Sequence, residues 1–318
     1  MNSAGERPYD RQWIRQQRGA KNPVDPCRPY NFLLEDERTP GGKVEKVSTL
    51  FLTNRECPYT CLMCDLWKHT TDDTVPAGAI PAQIEWALKQ LPPTLHIKLY
   101  NSANFFDPRA IPPEDYPDIA RLLEPFETLV VENHPQMTGD LLFRFAEMIR
   151  PRLQVAMGLE TVHPEGLLQL NKQMVPEDFR KAAGMLRERG IGTRAFILLR
   201  PPFLSEDEGI YWAKATLDYA FDSGAECCVI IPTRGGNGAL EQLNKEGHYA
   251  PPALSSLEEV LEYGISRGRG NVFADTWDLQ KFSRCNQCFN ARKHRVEQMN
   301  LQQQILPLIK CTCHPEQT

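Results

Sequence analysis

The feature that most constrains this chain is Cys57-Pro58-Tyr59-Thr60-Cys61-Leu62-Met63-Cys64, a C-x3-C-x2-C run directly after the apolar stretch Val47-Ser48-Thr49-Leu50-Phe51-Leu52. Three closely spaced thiolates on a loop leaving a strand can hold three irons of a [4Fe-4S] cube, because soft sulfur suits iron and short spacing wraps the chain around one cluster. The fourth iron then has no protein ligand nearby, and an open iron is a place for a small molecule to chelate. Zinc is the competing reading, although structural zinc takes four ligands, usually from two C-x2-C-like pairs.

With 318 residues the chain has room for one large α/β barrel or two ordinary domains. It contains no run of about eighteen apolar residues and no signal-peptide pattern, so a soluble, cytoplasmic protein with no membrane partner is expected. Ten cysteines sit mostly in metal-like groups rather than in a short secreted framework, which favours a reducing compartment. A formal net charge of −5 argues against a surface coated for nucleic acid, while a local basic patch stays open.

Residues 1–45 form a basic extension carrying Arg7, Arg11, Arg15, Arg18, Lys21 and Arg28, interleaved with Tyr9, Trp13 and Tyr30. Such an arm can grip RNA phosphates and stack bases, or it can pack over the rest of the fold as a solvated extension. Cys27 carries no assigned chemistry. From Val44 onward strand-like and helix-like segments alternate. The strands expected at 46–52, 95–100, 128–132, 153–158, 193–199 and 226–231 are short and apolar enough to be buried on both faces. Helical stripes lie between them: Ile84, Ala87, Leu88 and Leu91 after Pro81; Leu141, Leu142, Phe145 and Met148; and Phe179, Ala182, Ala183 and Leu186 between Pro176 and Gly190. Ser205-Glu206-Asp207-Glu208 reads as a capping box that opens a further helix.

Six βα repeats of this kind predict a parallel sheet curled into a partial (β/α)6 TIM-like barrel over 46–255, with an open doubly wound sheet as the alternative. In a barrel the reactive groups sit at the C-terminal ends of strands. Polar runs fall there throughout: Asn101-Ser102-Ala103-Asn104, Glu132-Asn133-His134-Pro135, Gly158-Leu159-Glu160-Thr161, Arg200-Pro201-Pro202 and Thr233-Arg234-Gly235-Gly236. The plain reading of Asn101 and Ser102 is a turn, and of Glu132 and Glu160 a helix-capping carboxylate. His134 and His163 read as hydrogen-bonded loop residues rather than catalysts. Cys227-Cys228 reads as core packing.

Cys57, Cys61 and Cys64 after a first strand resemble the radical S-adenosylmethionine (SAM) superfamily. Met63 stands where that family usually has an aromatic residue. The resemblance implies that SAM binds the open iron through its amino and carboxylate groups and is split by one electron, drawn from a donor such as flavodoxin or ferredoxin, into methionine and a 5′-deoxyadenosyl radical. It also implies SAM contacts: Asn101 and Ser102 for the amino group in place of the usual Gly-Gly-Glu, Glu132 for the ribose hydroxyls, Glu160 as a second polar contact and Arg194 for the carboxylate. No catalytic residue is assigned beyond the cluster. Arg200-Pro201-Pro202-Phe203, Ser205-Glu206-Asp207-Glu208, Leu170-Asn171-Lys172 and Tyr249-Ala250-Pro251-Pro252 are similar to the subgroup containing the archaeosine-pathway radical SAM lyase and the elongator catalytic subunit. That similarity implies a modified nucleobase in tRNA, or its biosynthetic adduct, as the substrate.

The region 256–318 adds Cys285-Asn286-Gln287-Cys288 and, 22 residues later, Cys311-Thr312-Cys313-His314. Cys285, Cys288, Cys311 and Cys313 can close a four-thiolate site, holding a second [4Fe-4S] cluster or zinc, with His314 as a substitute ligand. Arg284, Arg292, Lys293, His294 and Arg295 around the first pair suit a phosphate-bearing substrate or balance the thiolates. Two other readings remain: a sulfur-inserting enzyme that sacrifices the tail cluster, and a zinc-stapled RNA-binding or scaffold protein.

Overall fold

A computed structural model describes residues 9–313; Arg7 and His314 lie outside the described residues. Eight strands form one sheet in sequential order: β1 (Asn31–Arg38), β2 (Val44–Phe51), β3 (His96–Tyr100), β4 (Thr128–Glu132), β5 (Arg152–Glu160), β6 (Gly192–Leu199), β7 (Cys227–Pro232) and β8 (Asn271–Ala274). β1 and β2 form an antiparallel pair, and every later neighbour is parallel. The helices are α1 (Arg11–Gln17), α2 (Ala79–Leu88), α3 (Tyr116–Leu123), α4 (Asp140–Met148), α5 (Gly166–Gln169), α6 (Pro176–Arg187), α7 (Glu206–Asp222), α8 (Ala239–Lys245), α9 (Leu254–Ser266) and α10 (Asn286–Gln302). Among the described residues no helix is long and apolar enough to cross a membrane.

The outward faces of the strands supply Leu50, Ile97, Leu99, Leu129, Val131, Val155, Ile197 and Ile230, which pack fully buried with Ile84, Phe145, Phe179 and Leu217 from the helices. Each such side chain contributes about 1.5–3 kcal/mol by leaving water. α6 begins on Pro176, whose missing N–H costs nothing in a first turn. α7 begins with Ser205 Oγ accepting from the Glu208 N–H while Glu208 accepts from the Ser205 N–H at 2.9 Å.

The sheet curls on itself. Glu37 of β1 reaches Arg194 of β6 at 2.7 Å although four strands stand between them in the sheet. Asn271 of β8 donates to the Arg38 carbonyl of β1 at 3.2 Å, so the two edges approach each other. The result is a curled partial barrel of eight strands, two more than expected. The extra strands fall outside the expected barrel limits of 46 and 255: β1 lies in what was read as the extension, and β8, with most of α9, lies in what was read as the tail. The N-terminal end of the barrel is plugged by charge. Lys98 bonds Glu35 at 3.0 Å and also Glu37, while Arg194 bonds Glu37 and, at 2.8 Å, Gln154. Burial alone would raise the Glu37 carboxyl, but Arg194 and Lys98 outweigh it and hold it at about 2.

α1 lies over the opposite, C-terminal mouth. Ile14 is buried there with Leu240 and Leu243 of α8, and Tyr9 and Trp13 pack beside them. The aromatic side of the arm therefore faces protein.

Candidate active site

The cysteine loop leaves β2 at the C-terminal mouth and is braced from two sides. The Leu62 N–H donates to the Leu170 carbonyl at 2.9 Å, and Asn171 donates to the Thr60 carbonyl at 2.6 Å, both from the segment after β5. From the segment after β7, Asn237 donates to the Leu62 carbonyl at 2.7 Å. Cys61 is buried, Cys57 and Cys64 half-buried, and all three are free thiols. Burial pushes Cys57 and Cys64 up to about 12 and Cys61 to about 11. Each thiol is raised further by another of the trio. The Lys172 ammonium acts on Cys57 and Cys61 in the opposite sense. Asn104 donates to Cys57 Sγ at 3.4 Å and is fixed by accepting the His134 N–H at 2.7 Å. Soft donors of this kind, unpaired and held on one loop, fit an iron–sulfur cluster.

Around them stand the strand ends. One Glu132 oxygen accepts the backbone N–H of Asn101 at 2.6 Å and of Ser102 at 2.7 Å. Burial raises the Glu132 carboxyl to about 7 despite those two donors. The Asn101 side-chain amide is buried with neither its nitrogen nor its oxygen bonded. An orphaned amide of this kind is costly, on the order of 1–3 kcal/mol, and sits where a polar ligand would satisfy it. Ser102, Glu160 and Arg200, at or just past three strand ends, hold left-handed backbone with φ of 53°, 63° and 52°. Non-glycine residues bear such strain at a cost of about 1–3 kcal/mol, and it concentrates at functional sites.

Glu160 is taken by Lys172, which lies 2.6 Å away and is itself buried. A Cβ on Gly158 would collide with both side chains, so glycine is required there. Arg194 is a correction. It is the third residue of β6, at the end remote from the cysteine loop, and Glu37 and Gln154 already occupy its guanidinium. His134 stacks on Tyr59 with ring centroids 4.0 Å apart, and burial drives it down to about 3, so it is a neutral, packed imidazole. Sequence reasoning missed Lys172, Asn104, Asn171 and Asn237 as site residues. Lys172, Asn171 and Asn104 lay in the quoted runs, but only the fold brings Lys172 to the cysteines.

The second cysteine group also assembles. Cys285, Cys288, Cys311 and Cys313 keep their sulfurs within 4.8 Å of one another, with Cys285 and Cys311 3.9 Å apart and Cys288 and Cys313 3.6 Å apart. The Cys288 N–H, then Cys313 and the Gln287 N–H, lower the Cys285 thiol to about 6. Two of the neighbouring basic residues dock α10 on α9: Arg292 pairs with buried Glu258, and Arg295 bonds Glu262 at 2.7 Å.

No family model matches the sequence. An uncharacterized protein of Methanocaldococcus jannaschii is 24% identical over 312 residues, covering 91% of this chain and 86% of that one. Archaeosine synthase subunit beta of Thermococcus kodakarensis is 27% identical over 210 residues, covering 63% of this chain and 65% of its own. The Methanosarcina acetivorans subunit is 25% identical over 232 residues, covering 69% and 67%. Among solved structures, Elp3 of Methanocaldococcus infernus superposes with a TM-score of 0.51 at 18% identity over 71% of this chain and 59% of its own. SuiB of Streptococcus suis, solved bound to S-adenosylmethionine, superposes with a TM-score of 0.50 at 11% identity over 70% of this chain and 48% of its own. The chain shares the fold of these two solved structures. It spans less than two thirds of each of these two solved chains.

Proposed function

We propose that the chain is a radical SAM enzyme acting on a modified nucleobase carried on tRNA, or on its biosynthetic adduct. The observation that carries this reading is the cysteine trio, braced at the C-terminal mouth of the curled barrel beside an orphaned Asn101 amide and a half-buried Glu132. When bound, the cluster supplies the electron that divides SAM into methionine and a hydrogen-abstracting 5′-deoxyadenosyl radical.

Cys57, Cys61 and Cys64 would hold three irons. Asn101 and Ser102 would meet the amino group of SAM, Glu132 its ribose hydroxyls, and Lys172, in place of Arg194, its carboxylate. Glu160 keeps Lys172 charged: burial favours the neutral amine, but the carboxylate and the cysteines push its pKa above the usual lysine range. Asn171 and Asn237 fix the loop that carries the ligands. An external donor of the flavodoxin or ferredoxin type would supply the electron.

A nucleobase is supported by the two archaeosine synthase relatives and by an aromatic wall inside the barrel. Phe51, Tyr100 and Phe196 follow one another at centroid spacings of 5.9 and 6.2 Å, and Trp277, 52% exposed, stands 5.9 Å from Phe51. Flat faces of this kind stack bases at about 1–3 kcal/mol each.

For the tail we read a single zinc ion. Tetrahedral zinc at about 2.3 Å from each sulfur separates its ligands by about 3.8 Å; here Cys285 and Cys311 are 3.9 Å apart, Cys288 and Cys313 3.6 Å, and all four sulfurs lie within 4.8 Å of one another. A cube binds each thiolate at a different corner and needs its ligands further apart. This spacing also speaks against a tail cluster sacrificed for sulfur insertion. The test is metal analysis and turnover of anaerobically reconstituted protein. Four irons and one zinc per chain, 5′-deoxyadenosine under dithionite, and none from Cys61→Ala are expected. Zinc alone with SAM left intact would make the chain a stapled scaffold instead.

A further inference from the structure

Beside Cys57 the structure holds a cleft of about 320 Å3 lined by Arg11 and Arg15 of α1, by Arg55 and Arg109, and by Glu56 and Asp72. The acidic walls are already neutralised. Glu56 pairs with Arg18 at 2.7 Å and Lys21 at 2.9 Å, and Asp72 pairs with Lys21 at 2.7 Å. Arg11, Arg15 and Arg55 form no ion pair among the described residues. Arg109 touches Asp107 at 3.2 Å and leaves its side chain 53% exposed. A chain of net charge −5 thus gathers three uncompensated guanidinium groups and a fourth half-free one at the threshold of its cysteine site.

These arginines are not needed to hold α1 in place. That work belongs to Ile14, Tyr9 and Trp13, which turn toward α8 and leave the opposite side of the helix to face the cleft. Arg11 and Arg15 lie one turn apart, about 6 Å along the axis. They also line a second open cleft, of about 480 Å3, with Asp10, Gln12 and Gln16. A cationic track therefore runs from Cys57 outward along α1, longer than one phosphate requires. Guanidinium forks match phosphate oxygens in pairs, and each phosphate bound releases condensed counterions.

We infer that this track binds the phosphodiester backbone of the substrate RNA, with Arg55 and Arg109 nearest Cys57 and Arg11 and Arg15 farther out. The inference rests on the tRNA reading above and assigns to it a part of the surface. The RNA backbone is held at the mouth while one base enters the barrel.

The test uses the full-length, anaerobically reconstituted protein and an unmodified tRNA transcript, with affinity measured by anisotropy across a salt series. For Arg11→Glu/Arg15→Glu the affinity is expected to fall at least tenfold at 0.15 M salt. The slope of log K against log salt should drop by about 1.5 to 2. The control, Lys181→Glu/Arg187→Glu on the exposed face of α6, makes the same change in net charge and should leave the slope within 0.3 of wild type. The inference is overturned if the α1 variant matches the control, if wild type has no measurable affinity for the transcript, or if GMP or polyglutamate competes as well as tRNA does. A wild-type chain that binds tRNA through these arginines yet leaves SAM intact would uphold the track and overturn the enzyme reading.

Discussion

Glu132→Gln separates function from folding. The Glu132 carboxyl titrates near 4.5 in an unfolded chain and at about 7 in the fold, where burial disfavours its charge. An acid with a higher pKa folded than unfolded binds more protons when folded, so its contribution to stability falls as pH rises from 4.5 to 7. The displacement corresponds to about 3 kcal/mol at pH 8, less the share screened by water in the barrel, because the side chain stays partly exposed. Glutamine keeps an oxygen for the N–H groups of Asn101 and Ser102 but cannot ionise. The variant should therefore gain stability at pH 8, by up to several degrees in Tm, and match wild type at pH 4.5. On the reconstituted protein, losing a charged acceptor for the ribose hydroxyls should weaken SAM at least tenfold, since such bonds contribute about 1.5–3 kcal/mol. Iron content should not change. Thermal melts of the apo chain at the two pH values, with calorimetric titration of SAM, read both effects. A variant destabilised equally at both pH values, or one that loses iron, would show that the carboxylate is a structural group and refute the assignment.

Two further substitutions probe the surroundings. Asn104→Leu removes the N–H directed at Cys57 Sγ, and a reduced, more negative cluster loses more from that than an oxidised one. Its midpoint potential, followed by EPR, should move negative by on the order of 20–40 mV with full iron content. Glu37→Gln leaves Arg194 without a carboxylate in the barrel floor and Lys98 with Glu35 alone, and urea unfolding at pH 7 should show a loss of about 3–5 kcal/mol. Glu37 sits at about 2 in the fold against 4.5 unfolded, so its stabilising share is present above 4.5 and fades toward pH 2. The gap between variant and wild type should close over that window.

The six strands from β2 to β7 were legible because their runs are almost continuously apolar and buried on both sides, as parallel strands between helices must be. β1 was not, because Glu35, Asp36, Glu37 and Arg38 make it read as a charged arm. Its carboxylates are instead used inside the barrel by Lys98 and Arg194. β8 is four residues long and has no periodicity to find. The cysteine trio was read from spacing alone, since ligand chemistry is local. Arg194 was assigned to the wrong end of the barrel because a residue's type does not say how far along a strand the mouth lies. Lys172 became visible only when folding carried it across more than a hundred residues to Cys61. At Cys285, Cys288, Cys311 and Cys313 the spacing announced a metal, but telling zinc from a cube needs the distances between sulfurs.

The central claim is that the loop of Cys57, Cys61 and Cys64 holds a [4Fe-4S] cluster with one iron open to SAM. Hyperfine spectroscopy of the reduced, reconstituted chain with SAM labelled by 15N at its amino group and 17O at its carboxylate tests this directly. Coupling of both labels to the cluster spin is expected, and it should vanish in Cys61→Ala. A cluster spectrum unchanged by SAM, or a single ion held by the three thiolates, would contradict it.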